Sequence, residues 1–348
     1  MLKRVLIANR GEIALRVLRA CRELDIETVA VYSEADAEAL HVQLATQAVC
    51  IGPAKAADSY LNQDALLTVA QATGCDGVHP GYGFLSENAD FADACAQEGI
   101  TFIGPSGDTI RKAGSKSAAR DIMRAAGVPV TPGSDGPVAS VEAALAAAEA
   151  VGYEGAGTVE FLLDADGEHF YFMEMNTRIQ VEHGITELVT GVDLVRQQLR
   201  IASGLSLDME QSDIRLTGHA IECRINAENP GANFAPCPGR VEFVHFPGGA
   251  GVRVDSCLYN GCELSPYYDS MAAKVLVHAP TRLEAIRKMR RCLEEFALEG
   301  FPTNAELSYQ ILYHPVFVRG ACTTAFLDEH LPDLLDFSRR VRESEGDA

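Results

Sequence analysis

The chain has 348 residues, 47% of them hydrophobic and 22% charged, with a formal net charge of -20. That length predicts two or three domains, because single cores stop growing near ~250–300 residues, and the composition is that of a globular protein rather than a disordered one. The acidic balance excludes non-specific nucleic-acid binding, and no apolar run approaches the ~20 residues that span a bilayer, so neither nucleic acid nor membrane is an expected partner.

The N-terminal run Met1 to Arg10 starts basic, but its apolar stretch is cut after Val5-Leu6-Ile7-Ala8, which suits a strand and not a signal peptide. It ends at Asn9-Arg10-Gly11, a loop that opens a helix over about 12–23. A second strand is expected at 28–32, a helix at 60–73, a strand at 75–79 followed by a Pro-Gly-Tyr-Gly loop, a helix at 88–98 and a fourth strand at 100–103. Strands alternating with helices predict a parallel, doubly wound sheet whose ligand-bearing loops lie at the strand C-terminal ends. Residues 107–126 read as one or two helices carrying Lys116, 128–137 as a Pro- and Gly-rich linker, and 140–151 as an alanine-rich helix capped by Ser140.

A β-hairpin is expected from strands at 158–163 and 170–176 around Asp164-Ala165-Asp166-Gly167. Two registers compete. If facing position numbers sum to 334, Glu160 stands opposite Glu174 and both share a face with Asn176, a hard oxygen site suited to Mg²⁺. A tight Asp166-Gly167 turn makes the sum 333 and throws the two glutamates to opposite faces. Beyond the hairpin, Glu174, Asn176, Arg178, Gln180 and Glu182 occupy every second position, so an extended chain puts two carboxylates, an amide pair and a guanidinium on one face. Met175, Thr177, Ile179 and Val181 fall on the other, ready to pack. Such a row can hold a metal and a small oxyanion together; the plainer alternative is a half-buried strand with a solvated face.

A helix is expected at 191–202. From Gly218 the texture becomes short strands with Pro and Gly turns, at 219–226, 239–247, 252–255 and 274–277, then helices at 282–298 and 304–312. This is a mixed α+β domain with a frayed last dozen residues. Ten cysteines show no CxxC and no spacing for zinc or a disulfide framework, which points to reduced thiols and a cytoplasmic location.

Several long segments resemble one family. KRVLIANRGEIALRVLRACRELDI, DGVHPGYGFLSENADFA, FIGPSGDTIRKAGSKSAAR, GAGTVEFLLD, FYFMEMNTRIQVEHGITELVTGVDLVRQQLRIASG, GHAIECRINAE, PGRVEFVHFPGGAGVRVDS and YYDSMAAK are similar, in order, to the biotin carboxylase component of biotin-dependent acyl-CoA carboxylases, which are ATP-grasp enzymes. The resemblance implies an α/β fold: an N-terminal biotin carboxylase domain over 1–110, an ATP-grasp domain over 111–210 and a C-terminal biotin carboxylase domain over 211–335, with a tail at 336–348. It implies ATP, Mg²⁺ or Mn²⁺, bicarbonate and carrier-bound biotin as cofactors and substrates. The partners it implies are a biotin carboxyl carrier protein and a carboxyltransferase, and the assembly a homodimer.

By the same resemblance Glu160, Glu174 and Asn176 correspond to the metal positions, which favours the 334 register. Arg178, Gln180 and the backbone of Val181 correspond to the bicarbonate pocket and Glu182 to the base that deprotonates bicarbonate. Arg224 corresponds to the guanidinium that stabilises the biotin enolate and carboxyphosphate, Tyr82 to a biotin-pocket residue and Lys116 to an ATP-contacting lysine. The plainer alternatives are that Tyr82 simply packs its loop and that Lys116 is a solvated helix lysine.

The resemblance breaks at one place. The family reads VGYP-VLIK-A, a glycine-rich loop such as GGGGRGMR, then a RHIEVQ strand and an ERDCSxQRRHQK segment before VGYxGAGTxEF. Here Val151-Gly152-Tyr153 runs directly into Glu154-Gly155-Ala156-Gly157-Thr158. The lid over the phosphates, with its lysine, is expected to be missing, and the ATP-grasp core to be truncated. Three readings follow: a biotin carboxylase with impaired turnover, a shortened non-catalytic relative that keeps docking surfaces, and another ATP-grasp ligase. CRINAE and YYDSMAAK disfavour the last.

Overall fold

The computed structural model describes residues 1–114, 148–149, 151–164, 166 and 170–346. Lys116, the linker at 128–137 and most of the expected helix at 140–151 lie outside the described residues. The chain divides into two compact units: Met1–Ala37, His41–His183 and Asp193–Glu210 in the first; Glu38–Leu40, Gly184–Val192 and Gln211–Ala348 in the second.

The first unit is built on five parallel strands: β1 (Arg4–Ile7), β2 (Glu27–Tyr32), β3 (Gln47–Cys50), β4 (Gly77–His79) and β5 (Thr101–Phe102), ordered β3-β2-β1-β4-β5. The strand at β3 was not anticipated. It is a four-residue edge strand with no buried position, so it lacks the apolar run that marks its neighbours. The central strands are continuous apolar segments with Val5, Leu6, Ile7, Ala30 and Val31 fully buried, as a sheet covered on both faces requires.

Helices α1 (Gly11–Glu23), α2 (Leu40–Leu44), α3 (Gln63–Ala72), α4 (Ala89–Gln97) and α5 (Gly107–Gly114) accompany this sheet. Asn62 and Asn88 cap α3 and α4 by accepting the Ala65 and Phe91 N–H groups. The hairpin follows as β6 (Thr158–Leu163) and β7 (Phe170–Asn176), a two-stranded antiparallel sheet with the expected strand limits. The helix expected at 191–202 is α7 (Leu194–Ala202); α6 (His183–Thr190) precedes it unanticipated, and Gly191, whose φ is +75°, ends α6. Val195 and Leu199 of α7 pack against Ile13, Val17 and Leu18 of α1.

The second unit continues with β8 (His219–Asn226), β9 (Glu228–Asn229), β10 (Ala235–Pro236), β11 (Phe243–His245), β12 (Val252–Ser256), β13 (Met271–Ala279) and β14 (Ala297–Glu299). The antiparallel sheet β12-β13-β8 is its centre. One face is apolar and packs helix α8 (Arg282–Glu295) through Val275, Val277, Ala285, Ile286 and Met289. The broad strand expected at 239–247 shrinks to β11, paired with β14. Helices α9 (Ala305–Ile311), α10 (Pro315–Arg319) and α11 (Phe326–Gly346) close the unit. The last dozen residues, expected to fray, thus run on as helix to Gly346. Phe326 and Leu334 anchor α11 against Leu307 of α9, and once nucleated a helix gains a hydrogen bond for each added residue.

Candidate functional site

The hairpin answers the register question with both alternatives. Near the loop Phe161 faces Phe172, Leu162 faces Tyr171 and Leu163 faces Phe170, the 333 register of a tight turn. A bulge then absorbs Met173, and from there Glu160 faces Glu174, Val159 faces Met175 and Thr158 faces Asn176, the 334 register. The apolar side is held by Phe172, Met175 and an edge-to-face contact of Phe161 with Phe172 at 6.2 Å. The polar side carries Glu160, Glu174 and Asn176 together, and Asn176 Nδ2 donates to Glu160 Oε1 at 2.7 Å. Two opposed carboxylates and an amide oxygen form a hard donor set, and Mg²⁺ or Mn²⁺ fits it.

The continuation departs from the extended ribbon expected for 174–182. The strand ends at Asn176, and residues 177–182 bend and turn into α6. Three of the four odd positions are nevertheless packed: Met175, Thr177 and Ile179 are buried, while Val181 is only partly so. The even positions are joined by hydrogen bonds rather than by strand alternation. Arg178 Nη1 donates to Gln180 Oε1 at 3.2 Å and to the Ile179 carbonyl at 3.3 Å, while Nη2 reaches Asn176 Oδ1 at 3.4 Å. Asn176 therefore links the carboxylate end of the site to the guanidinium end.

His183 is buried, and its Nδ1 lies 2.8 Å from the Gln180 carbonyl, which ties down the turn that carries Val181 and Glu182. Glu182 is exposed at that turn. A residue the sequence reading missed also enters: Glu87 accepts from Arg178 Nε at 3.0 Å and from the Thr177 N–H at 3.2 Å. Only the fold brings it there, and the signal that could have found it was the acid in FLSEN directly before the α4 cap.

The loop after β4 carries Tyr82. Asn9 Nδ2 donates to the Pro80 carbonyl at 2.7 Å and the Tyr82 carbonyl at 2.8 Å, so the loop after β1 holds the loop after β4. Gly81 sits at a φ of +65°, with space for a Cβ closed by Asn9 and Ile13 at 3.0 Å; glycine is required there by both conformation and packing. Its N–H donates to His79 Nδ1 at 3.0 Å. Burial drives His79 down to about 3, helped by the positive charge of Arg16, so it is neutral with the proton on Nε2. The Tyr82 hydroxyl donates to Glu12 of α1, and its ring packs on the unit's core. The structure thus supports the packing role of Tyr82 directly.

In the same unit Arg10 donates twice to Asp36, each at 2.7 Å, and Tyr60 donates to the same carboxylate at 2.5 Å. Burial alone would raise Asp36, but these donors hold it below the ordinary carboxylate range. This is a second polar cluster that sequence reading did not pick out.

In the second unit Arg224 lies on the polar face of β12-β13-β8. Register places Asp255, Lys274 and Arg224 in one row across the three strands. Lys274 is fully buried with Nζ 3.8 Å from Asp255, and Arg253 bridges Asp255 at 2.7 Å and Glu187 at 2.6 Å. Arg224 itself is half-exposed, with Nε 3.6 Å from Glu222. Asn304 accepts from the Asn226 N–H at 2.8 Å and donates to the Arg224 carbonyl at 3.1 Å, which fixes the strand that presents the guanidinium. All ten cysteines are free thiols, and burial pushes Cys21, Cys95 and Cys223 up to about 12.

Comparison with known proteins supplies the context. Residues 1–110 match the biotin carboxylase N-terminal domain, 142–210 the ATP-binding domain of the carbamoyl-phosphate synthase L chain, and 222–329 the biotin carboxylase C-terminal domain. Biotin carboxylase 1 of Bacillus subtilis is 42% identical over 445 aligned positions, covering 95% of this chain and 99% of the relative. Biotin carboxylase of Haemophilus influenzae is 41% identical over 447 positions, with 95% and 99% covered. The dimeric biotin carboxylase domain of Hydrogenobacter thermophilus 2-oxoglutarate carboxylase, solved with MgADP and bicarbonate, superposes with a TM-score of 0.90 at 36% identity over 96% of this chain and 98% of that one. An alignment of 445 positions exceeds a chain of 348 residues, so the relative carries roughly a hundred residues that this chain lacks. With both flanking domain types matched and the carboxylates, amide and guanidinium gathered at one hairpin, the chain belongs to the biotin carboxylase family of ATP-grasp ligases.

Proposed function

We propose that this chain is built for the first half-reaction of a biotin-dependent carboxylase, the ATP- and bicarbonate-dependent carboxylation of biotin on a carrier protein. The observation that carries this reading is the joined site in the first unit, where Glu160 faces Glu174 and Asn176 connects them to Arg178 and Gln180. Glu160, Glu174 and Asn176 would hold Mg²⁺ or Mn²⁺, which when bound neutralises phosphate charge during phosphoryl transfer. Arg178, Gln180 and the Val181 N–H would hold bicarbonate, by charge-assisted bonds that fix a planar oxyanion. Glu182, exposed at the turn, would take the bicarbonate proton from hydrogen-bond distance. Arg224 and Tyr82 would serve biotin, and Lys116 the nucleotide.

The carrier protein and a carboxyltransferase are the expected partners, and a homodimer the expected state, in keeping with the dimeric Hydrogenobacter neighbour. The free thiols fit a cytoplasmic setting, and among the described residues no helix is long and apolar enough to cross a membrane.

Turnover is a separate matter. The alignment gap and the fused VGY phrases both support loss of the segment that closes over the phosphates, and orientation with exclusion of water supplies about 7–11 kcal/mol in well-positioned reactions. Bicarbonate-dependent ATP cleavage with free biotin is therefore expected to be negligible in this chain and to appear when the Bacillus subtilis segment is inserted between Tyr153 and Glu154. Equal turnover in both forms would overturn the impairment. Silence in both would favour the second reading, a non-catalytic relative that keeps partner docking, which the shortened length supports.

A further inference from the structure

Arg178 is held from one side by a residue outside its own segment. Glu87 presents Oε2 to Arg178 Nε and Oε1 to the Thr177 N–H, so one carboxylate grips two consecutive residues of the bend. Its own mount is rigid. The preceding Ser86 is buried, with its N–H bonded to the Gly83 carbonyl at 2.9 Å, and the following Asn88 caps α4 through the Phe91 N–H at 2.8 Å. The same loop carries Tyr82, five residues earlier.

A guanidinium has five N–H donors. Glu87 takes the Nε–H, Ile179 and Gln180 take Nη1, and Asn176 takes one Nη2 hydrogen by a long bond. The second Nη2 N–H is without an acceptor among the described residues, so the head is oriented by its neighbours while a donor stays available to a ligand.

We propose that Glu87 is a positioning residue for oxyanion capture: its carboxylate clamps Thr177 and Arg178, and so couples the Tyr82 loop to the bend that takes bicarbonate. This rests on the bicarbonate reading of Arg178 given above. Two other roles give opposite results. A surface ion pair, with the Glu87 side chain 42% exposed, changes nothing in anion affinity when removed. A carboxylate acting mainly by repulsion weakens anion binding, so its removal tightens it.

The test titrates bicarbonate against arginine-labelled protein, following the Arg178 Nε–H resonance by NMR, in the natural chain and in Glu87→Gln, Glu87→Asp and Glu87→Ala. Glutamine keeps an acceptor for the Thr177 N–H but loses the charge on Nε, so bicarbonate affinity is expected to fall roughly fivefold in Glu87→Gln and further in Glu87→Ala, the loss of charge-assisted orientation. The thermal midpoint should move by less than about 2 °C, since an exposed pair adds little stability. Unchanged or tighter binding in Glu87→Gln and Glu87→Ala overturns the proposal. Unfolding of all three variants would make Glu87 a folding residue and overturn it as well. A natural chain whose Arg178 signal ignores bicarbonate removes the bicarbonate reading, and the clamp with it.

Discussion

His79 and His41 are buried imidazoles held neutral by their surroundings, His79 near 3 and His41 near 4, in both cases first because burial penalises the charged form. A base whose folded pKa lies below its unfolded value of about 6.5 stabilises the fold above that pH and loses the contribution as pH falls toward the folded pKa. Thermal unfolding is therefore expected to shift to lower temperature between pH 6.5 and pH 4.5, at about 1.4 kcal/mol per pH unit for each imidazole. Replacing His79 by Gln should flatten that slope; an unchanged slope would assign the acid sensitivity elsewhere. His79 was read as the last residue of a strand before the Pro-Gly-Tyr-Gly loop, and only the fold shows that it is enclosed while its Nδ1 receives the Gly81 N–H.

Among elements, the sheet β12-β13-β8 has the most to lose from a single change. Lys274 and Arg253 are positive groups that share Asp255, Arg253 also reaches Glu187, and Lys274 has no exposed surface at all. Removing one member of such a set leaves buried charge without its compensation, which costs about 3–5 kcal/mol, whereas replacing a facing pair by apolar groups of like size is close to neutral. Asp255→Ala is expected to destabilise by that amount in denaturant unfolding, and Asp255→Leu with Lys274→Met to recover most of it. An additive double mutant would show that the two side chains are not coupled.

The apolar run Val275-Leu276-Val277 after Lys274 made part of this strand readable, though it extends over Met271–Ala279, and strand order is needed to place Lys274 between Asp255 and Arg224. The hairpin teaches the same lesson. Its strands were legible to the residue, while the sequence allowed two registers and the structure uses both, joined by the Met173 bulge. The α6 helix was hidden because the polar alternation from Glu174 to Glu182 imitates a strand right up to its first residue.

At the scale of the whole molecule, the chain lacks roughly a hundred residues that its relatives carry. On the reading proposed above, a nucleotide would keep the metal and phosphate contacts of the hairpin and lose those of the segment that the relatives carry. Calorimetric titration with Mg-ATP is expected to give binding at least roughly tenfold weaker than in a chain with the segment restored, a difference of one pKd unit or more. Equal affinities would mean that the described half of the site holds the nucleotide unaided. The sequence by itself determined most of the strands and helices and which residues could serve a metal or an oxyanion, because hydrophobic period, turn residues and residue chemistry are local properties; the segment lacking before Glu160 followed from the resemblance to the family. Only the tertiary structure decided that a bulge turns Glu160 toward Glu174, that the bend after Asn176 gathers Arg178 and Gln180 by hydrogen bonds, and that Glu87, 91 positions away from Arg178, grips it. Register and long-range contact depend on how distant pieces of chain close on one another, and no local pattern records that.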